Sequence, residues 1–359
     1  MRVRCSYNAI KARSSRSYAS NPPSTDISQQ QQHFIFGANT DIGKTVLSAA
    51  LVRASYEGSK KKSDSKTTNT TTSATTSTTH YIKPLQCGGS DESFIRRYAQ
   101  GLSSSKTLFD WETPASPHIA SRIEDKPASD EHVLTTLNDY LRELKTSSLP
   151  SSSSAAAATA ASTMRENSSQ STSSVWIETA GGVLSPSSSS PNNNESHHAK
   201  NGNGWGWVTQ ADLYIPFQNQ SSVVLVGDGR LGGISTTIAS LEALLTRNYT
   251  VAGILFIRDT DDDTTDTNQE ALKEYIFSYN TTTSDQRQLQ QNSGCGLLFD
   301  NPDNSIISLP KLPPEPEPLN EWFTSNDVKE PISSFVHNHL FLYDRQKREK
   351  QQECNKNKK

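Results

Sequence analysis

The stretch FIFGANTDIGKTVLSAA, Phe34 to Ala50, constrains this chain more than any other feature. An apolar run breaks into a polar loop flanked by Gly37 and Gly43, then resumes with apolar residues at helical spacing, among them Val46, Leu47, Ala50 and Leu51. A strand, a loop closing on Gly-Lys-Thr and a helix, in that order, make a phosphate cradle. Successive backbone N–H groups at a helix N-terminus present positive charge to an anion. Lys44 adds a cation for the β- and γ-phosphates, and the Thr45 hydroxyl suits Mg²⁺. The expected nucleotide contacts are therefore Gly37, Asn39, Thr40, Asp41, Ile42, Gly43, Lys44, Thr45 and Val46. Five residues separate Gly37 from Gly43, where the usual motif has four, and Ala38 stands where its first glycine would be.

Around that loop the chain alternates strand-like and helix-like segments. His33–Phe36, HYIKPL (80–85), SVWIETAGG (174–182), Ser221–Asp228 and Thr250–Asp259 read as strands. Lys44–Ser55 and Ser235–Thr246 read as helices. Continuous apolar strands such as SSVVLVGD are buried on both faces, which implies a mostly parallel sheet covered by helices on both sides. The expected fold is a three-layer α/β P-loop NTPase.

Hydrophobic residues make up only 32% of the 359-residue chain. The shortfall is local, because the polar residues concentrate in three low-complexity stretches. These are 58–79, 146–174 and 185–204, rich in Ser, Thr, Ala and Asn and unable to offset the entropy of ordering them. They are expected as insertions in one domain spanning 33–344, since loop closure costs little extra with length. A charged tail, 345–359, follows. Residues 1–20 carry five Arg or Lys and several Ser with no acid before Asp26, the composition of an organelle transit peptide. Mitochondrial import is the first expectation and a cytoplasmic location the second.

Net charge of −3 gives no case for nucleic acid or an anionic membrane, and no apolar run reaches the roughly 18 residues of a membrane span. The four cysteines form no CxxC pair, which argues against a zinc site or disulfide framework.

Three further stretches carry chemistry. Glu178 ends an apolar strand, where its carboxylate can serve a Mg²⁺ that takes one or two acids and keeps several waters. Lys83, just after a strand start, can stabilise charge on a transferring phosphoryl group, and Asp91 can supply a second carboxylate. In VGDGRLGGIS, the residues Gly232 to Ser235 open a helix whose free N–H groups suit a carboxylate or phosphate.

Taken together, GANTDIGKTV, YIKPLQCGG, SPHIAS (Ser116–Ser121), WIETAGGVLSP and VLVGDGRLGGIS resemble, in order and context, the dethiobiotin synthetase family. They are most similar to the synthetase half of the fused eukaryotic enzyme, which joins it to diaminopelargonic acid aminotransferase in mitochondria. The resemblance runs from about His33 to Phe323. It implies an ATP- and Mg²⁺-dependent ligase, typically a homodimer, acting on 7,8-diaminopelargonic acid and CO₂ in biotin biosynthesis. The implied course has three steps: an amine captures CO₂ as a carbamate, ATP phosphorylates it, and the second amine displaces phosphate.

Residue by residue, the resemblance gives Lys44, Lys83 and Thr40 the catalytic positions and makes Thr45, Asp91 and Glu178 metal ligands. It assigns Cys87, Gly181, Gly182 and Val183 to the substrate. Leu231, Gly232, Gly233, Ile234 and Ser235 would take its carboxylate tail across a dimer interface. Functional coupling to an aminotransferase is also implied, with the synthetase expected either to stand alone or to be part of a longer chain. Three positions depart from the family: Asp41 for a glutamate, Cys87 for Ser or Thr, and Arg258 for an asparagine that contacts adenine. Another ATPase or amidoligase of the same P-loop group, or a degenerate nucleotide-binding domain, are the competing readings.

Overall fold

The computed structural model describes residues 29–64, 78–147, 172–188, 208–259, 264–282, 302–314, 319–342 and 344. In chain order the elements are β1 (Gln29–Gly37), α1 (Lys44–Asp64), β2 (Thr78–Cys87), α2 (Asp91–Tyr98), β3 (Ser104–Trp111), α3 (Pro117–Ile123), α4 (Asp130–Ser147), β4 (Thr172–Glu178) and α5 (Gln210–Leu213). There follow β5 (Ser221–Val226), α6 (Gly233–Thr246), β6 (Val251–Ile257), α7 (Thr264–Thr282), α8 (Pro302–Ser305), β7 (Ile306–Leu309), α9 (Asn320–Thr324), α10 (Asn326–Ser334) and a π-helical turn, Phe335–Leu340. The strands form one seven-stranded sheet in the order β3-β2-β4-β1-β5-β6-β7, with every neighbouring pair parallel. The expected three-layer α/β architecture is present.

Strand periodicity decides what each face holds, because successive side chains point to opposite sides. Phe34, Phe36, Val223, Leu225, Ile254 and Phe256 point into one core, where α4, α6 and α7 contribute Val133, Leu137, Leu241, Leu244, Leu272 and Ile276. Ile35, Val224, Val226, Leu255, Tyr81 and Trp176 point into the other, against Leu47 and Leu51 of α1, Ile95 of α2 and Val328 and Ile332 of α10. Both faces are dry, which is why β5 and β6 read as unbroken apolar runs.

Several boundaries differ from the sequence expectation. β1 starts at Gln29 rather than His33, because Gln29–Gln32 continue the backbone ladder against Thr172–Val175. A ladder needs only N–H and C=O groups, so a glutamine run can join it without an apolar signature. By the same pairing β4 begins at Thr172, inside the stretch expected as an insertion, and Ser173 and Ser174 are buried. Helix α1 likewise runs on to Asp64, past Gly58, and β2 begins at Thr78. The expected transit peptide and charged tail lie outside the described residues, as does most of each low-complexity stretch. Among the described residues no helix is long and apolar enough to cross a membrane.

Candidate active site

The site lies at the carboxyl ends of the central strands, where an open parallel sheet leaves its ligand crevice. β4 is hydrogen-bonded between β2 and β1, so Glu178 closes a central strand and is not a sheet-edge acid. Its side chain is fully buried. Trp176 and Glu178 are two residues apart and therefore share a face, the one covered by α1. Tyr81 and Lys83 share that same face from β2. On α1, Thr45 and Ser48 are three residues apart and neighbours on one helical face. Two elements, α1 and β2, thus converge on the one carboxylate that β4 carries.

All of its acceptor positions are engaged. Oε1 accepts from Lys83 Nζ at 2.8 Å and from the Thr45 hydroxyl at 3.0 Å. Oε2 accepts from the Ser48 hydroxyl at 2.7 Å and the Tyr81 hydroxyl at 2.9 Å. Burial acts to raise the Glu178 pKa, but the Lys83 charge and hydrogen bond, with Ser48 behind them, hold the carboxyl below its ordinary value. Burial and the Glu178 charge push the Tyr81 phenol well up, so it remains a neutral donor. Lys83 Nζ also reaches Asp91 Oδ2 at 2.6 Å. Burial opposes its charge, yet Glu178 and Asp91 outweigh burial and raise its pKa.

The loop itself is held tightly. A Cβ on Gly37 would lie 2.7 Å from Lys44 Cδ, so only glycine lets the lysine fold back over the loop. There Lys44 Nζ donates to the Asn39 carbonyl at 3.1 Å. Burial, and next the charge of Lys83, lower the Lys44 pKa to about 8. Gly43 turns the chain into α1 with φ +84°, a left-handed conformation that side chains resist, and its α-carbon faces Ile257 at the end of β6. Ile42 is buried, Val46 packs partly buried, and Thr40 and Asp41 are exposed. Asn39 reaches Asp228 Oδ2 at 3.4 Å.

The glycine turn after Glu178 packs on the loop. Val183 N–H donates to Gly37 O at 2.9 Å, and a Cβ on Gly182 would touch the Ala38 carbonyl at 3.4 Å. A Cβ on Gly181 would lie 4.0 Å from the Thr40 methyl. Cys87 ends β2, and burial pushes its thiol up to about 12, so it is a neutral, weak donor and not a nucleophile. The second turn meets the loop through Asp228, which takes both Arg230 donors at 2.8 and 2.7 Å, and Ser240 Oγ lies 3.4 Å from Ala38 O. Gly232 precedes α6 with no side-chain cap, Gly233 is buried, Ile234 is half-buried, and Ser235 and Leu231 are exposed, Leu231 completely. The structure therefore gathers Lys44, Thr45, Lys83, Asp91 and Glu178 at one point. Sequence reading missed Ser48 and Tyr81, which the helical and strand spacings from Thr45 and Lys83 could have supplied.

The donor set fits a hard cation: Glu178 and Asp91 oxygens converge on the Lys83 ammonium, with the Thr45 hydroxyl alongside. Among the described residues no group of three or more His, Cys, Asp or Glu could hold a metal by itself. Two carboxylates and a hydroxyl suit an ion whose remaining ligands are phosphates and water.

A glycine-bounded loop joining a central strand to a helix, with lysine and threonine opening that helix and a buried acid on the next strand, defines a P-loop nucleotide-binding protein of the three-layer α/β class. No protein-family model matches the chain. It is 30% identical over 233 residues to the bifunctional dethiobiotin synthetase/adenosylmethionine-8-amino-7-oxononanoate aminotransferase of Emericella nidulans, a match covering 63% of this chain and 22% of that protein. It is 29% identical over 223 residues, 62% of this chain and 19% of the other, to the mitochondrial bifunctional dethiobiotin synthetase/7,8-diamino-pelargonic acid aminotransferase of Arabidopsis thaliana. The protein of that name from Oryza sativa subsp. japonica is 26% identical over 275 residues, 62% of this chain and 27% of the other. The chain thus spans about a fifth to a quarter of the length of these relatives. Among solved structures, pNOB8 ParA bound to nonspecific DNA superposes with a TM-score of 0.41 at 11% identity, over 86% of this chain and 97% of that one.

Proposed function

We propose that this chain is a dethiobiotin synthetase, an ATP-dependent ligase that closes the ureido ring of dethiobiotin on 7,8-diaminopelargonic acid and CO₂. The observation that carries this reading is the buried Glu178 gripped by Thr45 and Lys83, with Asp91 on the same Lys83 ammonium and Lys44 folded over the loop, in a chain similar to three bifunctional synthetases.

The loop amides from Asn39 to Val46 and the Lys44 ammonium bind the triphosphate. Thr45, Asp91 and Glu178 would hold Mg²⁺, which when bound neutralises phosphate charge. Lys83 and Thr40 position the carbamate against the γ-phosphate. The turn Gly181–Val183 lies against the loop, where its backbone can meet the substrate amines. Cys87 contributes a thiol donor on that side. The turn Leu231–Ser235 takes the carboxylate tail with the uncapped amides of α6. Its exposed Leu231 supports its being offered to a second subunit of a homodimer. Such chemistry asks little covalent work of the protein and much positioning and charge stabilisation.

Mitochondrial residence is supported by the acid-poor, Arg- and Ser-rich start and by the word mitochondrial in two plant relatives' names. The aminotransferase part of those names supports coupling to the enzyme that supplies the diamine.

Purified protein given 7,8-diaminopelargonate, bicarbonate, ATP and Mg²⁺ should release one phosphate per dethiobiotin formed. No dethiobiotin under these conditions overturns the reading. Rescue of a biotin-requiring strain lacking only the synthetase is the genetic counterpart.

A further inference from the structure

An ammonium has three N–H donors. Those of Lys83 have three acceptors: Asp91 Oδ2 at 2.6 Å, Glu178 Oε1 at 2.8 Å and the Thr179 carbonyl at 3.4 Å. None is left over for a phosphate or a carbamate. Glu178 is equally committed, since each of its oxygens already accepts two hydrogen bonds. The Lys83 side chain is only 5% exposed, Glu178 is fully buried, and Asp91 is 25% exposed on the open side. A bound cation therefore already occupies the point where the two carboxylates meet, and that cation belongs to the protein.

We propose that Lys83 is a resident counter-ion in the divalent-metal seat, and that the metal arriving with the nucleotide displaces it toward the phosphates. This inference rests on the nucleotide reading above. A metal on Glu178 Oε1 must replace the Lys83 and Thr45 donors there, because both already fill that oxygen. Displacement frees all three Lys83 donors together. The lysine is thus held away from the reaction until the metal-bound nucleotide is in place, and the buried acids never lack a counter-charge. Leaving them bare would be strongly unfavourable in a dry site.

The experiment is a titration of Mn²⁺ into the full-length, nucleotide-free protein, read by the electron paramagnetic resonance of free Mn²⁺. A seat filled by Lys83 nine times in ten weakens apparent metal affinity about tenfold. Lys83→Met should therefore bind Mn²⁺ about tenfold or more tighter than the wild type. Lys44→Met is the control, since it removes the same charge without opening the seat, and it should tighten binding far less. Equal tightening in the two variants would mean that long-range charge explains the effect, and the proposal falls.

If Lys83→Met does not fold, ¹⁵Nζ spectra of the wild type decide. The Lys83 ammonium signal, protected by its three acceptors, should change when Mg²⁺ and a non-hydrolysable ATP analogue are added. An unchanged signal with nucleotide bound overturns the inference while leaving the nucleotide reading standing. Failure of calorimetry to detect any Mg²⁺–nucleotide binding would remove both.

Discussion

The Ser48 hydroxyl lies 2.7 Å from Glu178 Oε2, one helical turn beyond Lys44. Ser48 Oγ is also 2.9 Å from the Lys44 carbonyl, but a hydroxyl has one hydrogen, and a buried carboxylate is the stronger acceptor. Ser48 therefore links the helix that carries Lys44 and Thr45 to the acid on β4. Ser48→Ala should cost about 2 kcal/mol in urea unfolding, the usual range for a hydrogen bond to a charged group. The pH dependence gives a second check. Glu178 has a pKa below its ordinary value, so its contribution to stability is present above about pH 4.3 and lost as pH falls through the folded-state pKa. Removing the Ser48 donor raises that folded-state pKa and should shift the acid loss of stability to higher pH.

Lys44 gives a pH slope of the same sign in a higher window, from burial of a cation. Its pKa near 8 means that the folded, nucleotide-free protein is already losing this charge at pH 8, while the unfolded chain keeps it to about pH 10.4. Between those values the unfolded state binds more protons, so the Lys44 contribution to stability rises with pH across that window. Phosphates restore the charge. Nucleotide binding at pH 8 should therefore take up about half a proton, measured by calorimetry in two buffers of different ionisation heat. Lys44→Met should show no such uptake, and Lys44→Ala should abolish turnover.

Much of this site was visible in the primary structure, for a definable reason. Lys44, Thr45 and Glu178 sit at strand and helix ends whose interiors are apolar, so the pattern itself points to the end where chemistry collects. Ser48 and Tyr81 were missed because a serine inside a helix and a tyrosine inside a strand look like ordinary packing until the facing element is known. Strand β3 is an edge strand with mixed exposure and β7 has only four residues, so neither carries a decisive period. The glutamine run of β1 failed as a signal because its ladder uses backbone groups only. The π-helical turn Phe335–Leu340 packs its buried Phe335, Val336 and Leu340 on the α1 face. Its sequence, FVHNHL, announces no period.

Gly43 tests the loop conformation. At φ +84° an L-residue costs roughly 1–2 kcal/mol, and any Cβ there also meets the Ile257 side chain. Gly43→Ala should lower the melting temperature and weaken nucleotide binding. Adding Ile257→Ala should relieve the contact while leaving the backbone cost, so binding should recover in part. Full recovery would show that the contact alone matters and that the left-handed turn is dispensable.

The stretch 185–204, taken with the three residues after it, separates into two parts with different expected outcomes on deletion. Ser185–Ser188 is tied down on every side. Ser185 Oγ accepts from Gly182 N–H at 2.8 Å, Ser187 N–H donates to Val208 O at 2.8 Å, and Ser188 Oγ donates to Ala128 O at 2.8 Å. Pro186 also pairs with Thr209 in an antiparallel bridge. Ser187 and Val208, the hydrogen-bonded residues that flank 189–207 within the described chain, already lie together. Replacing residues 189–207 with four Gly and Ser residues should raise stability by roughly 1 kcal/mol through a smaller closure entropy and change turnover less than about twofold. Extending the deletion through Ser185 should remove the anchor of the Gly181–Val183 turn and sharply reduce activity. The comparison is made by thermal melting and steady-state kinetics on both deletions. A large rise in KM for the shorter deletion alone would instead show that residues 189–207 close over the substrate as a lid.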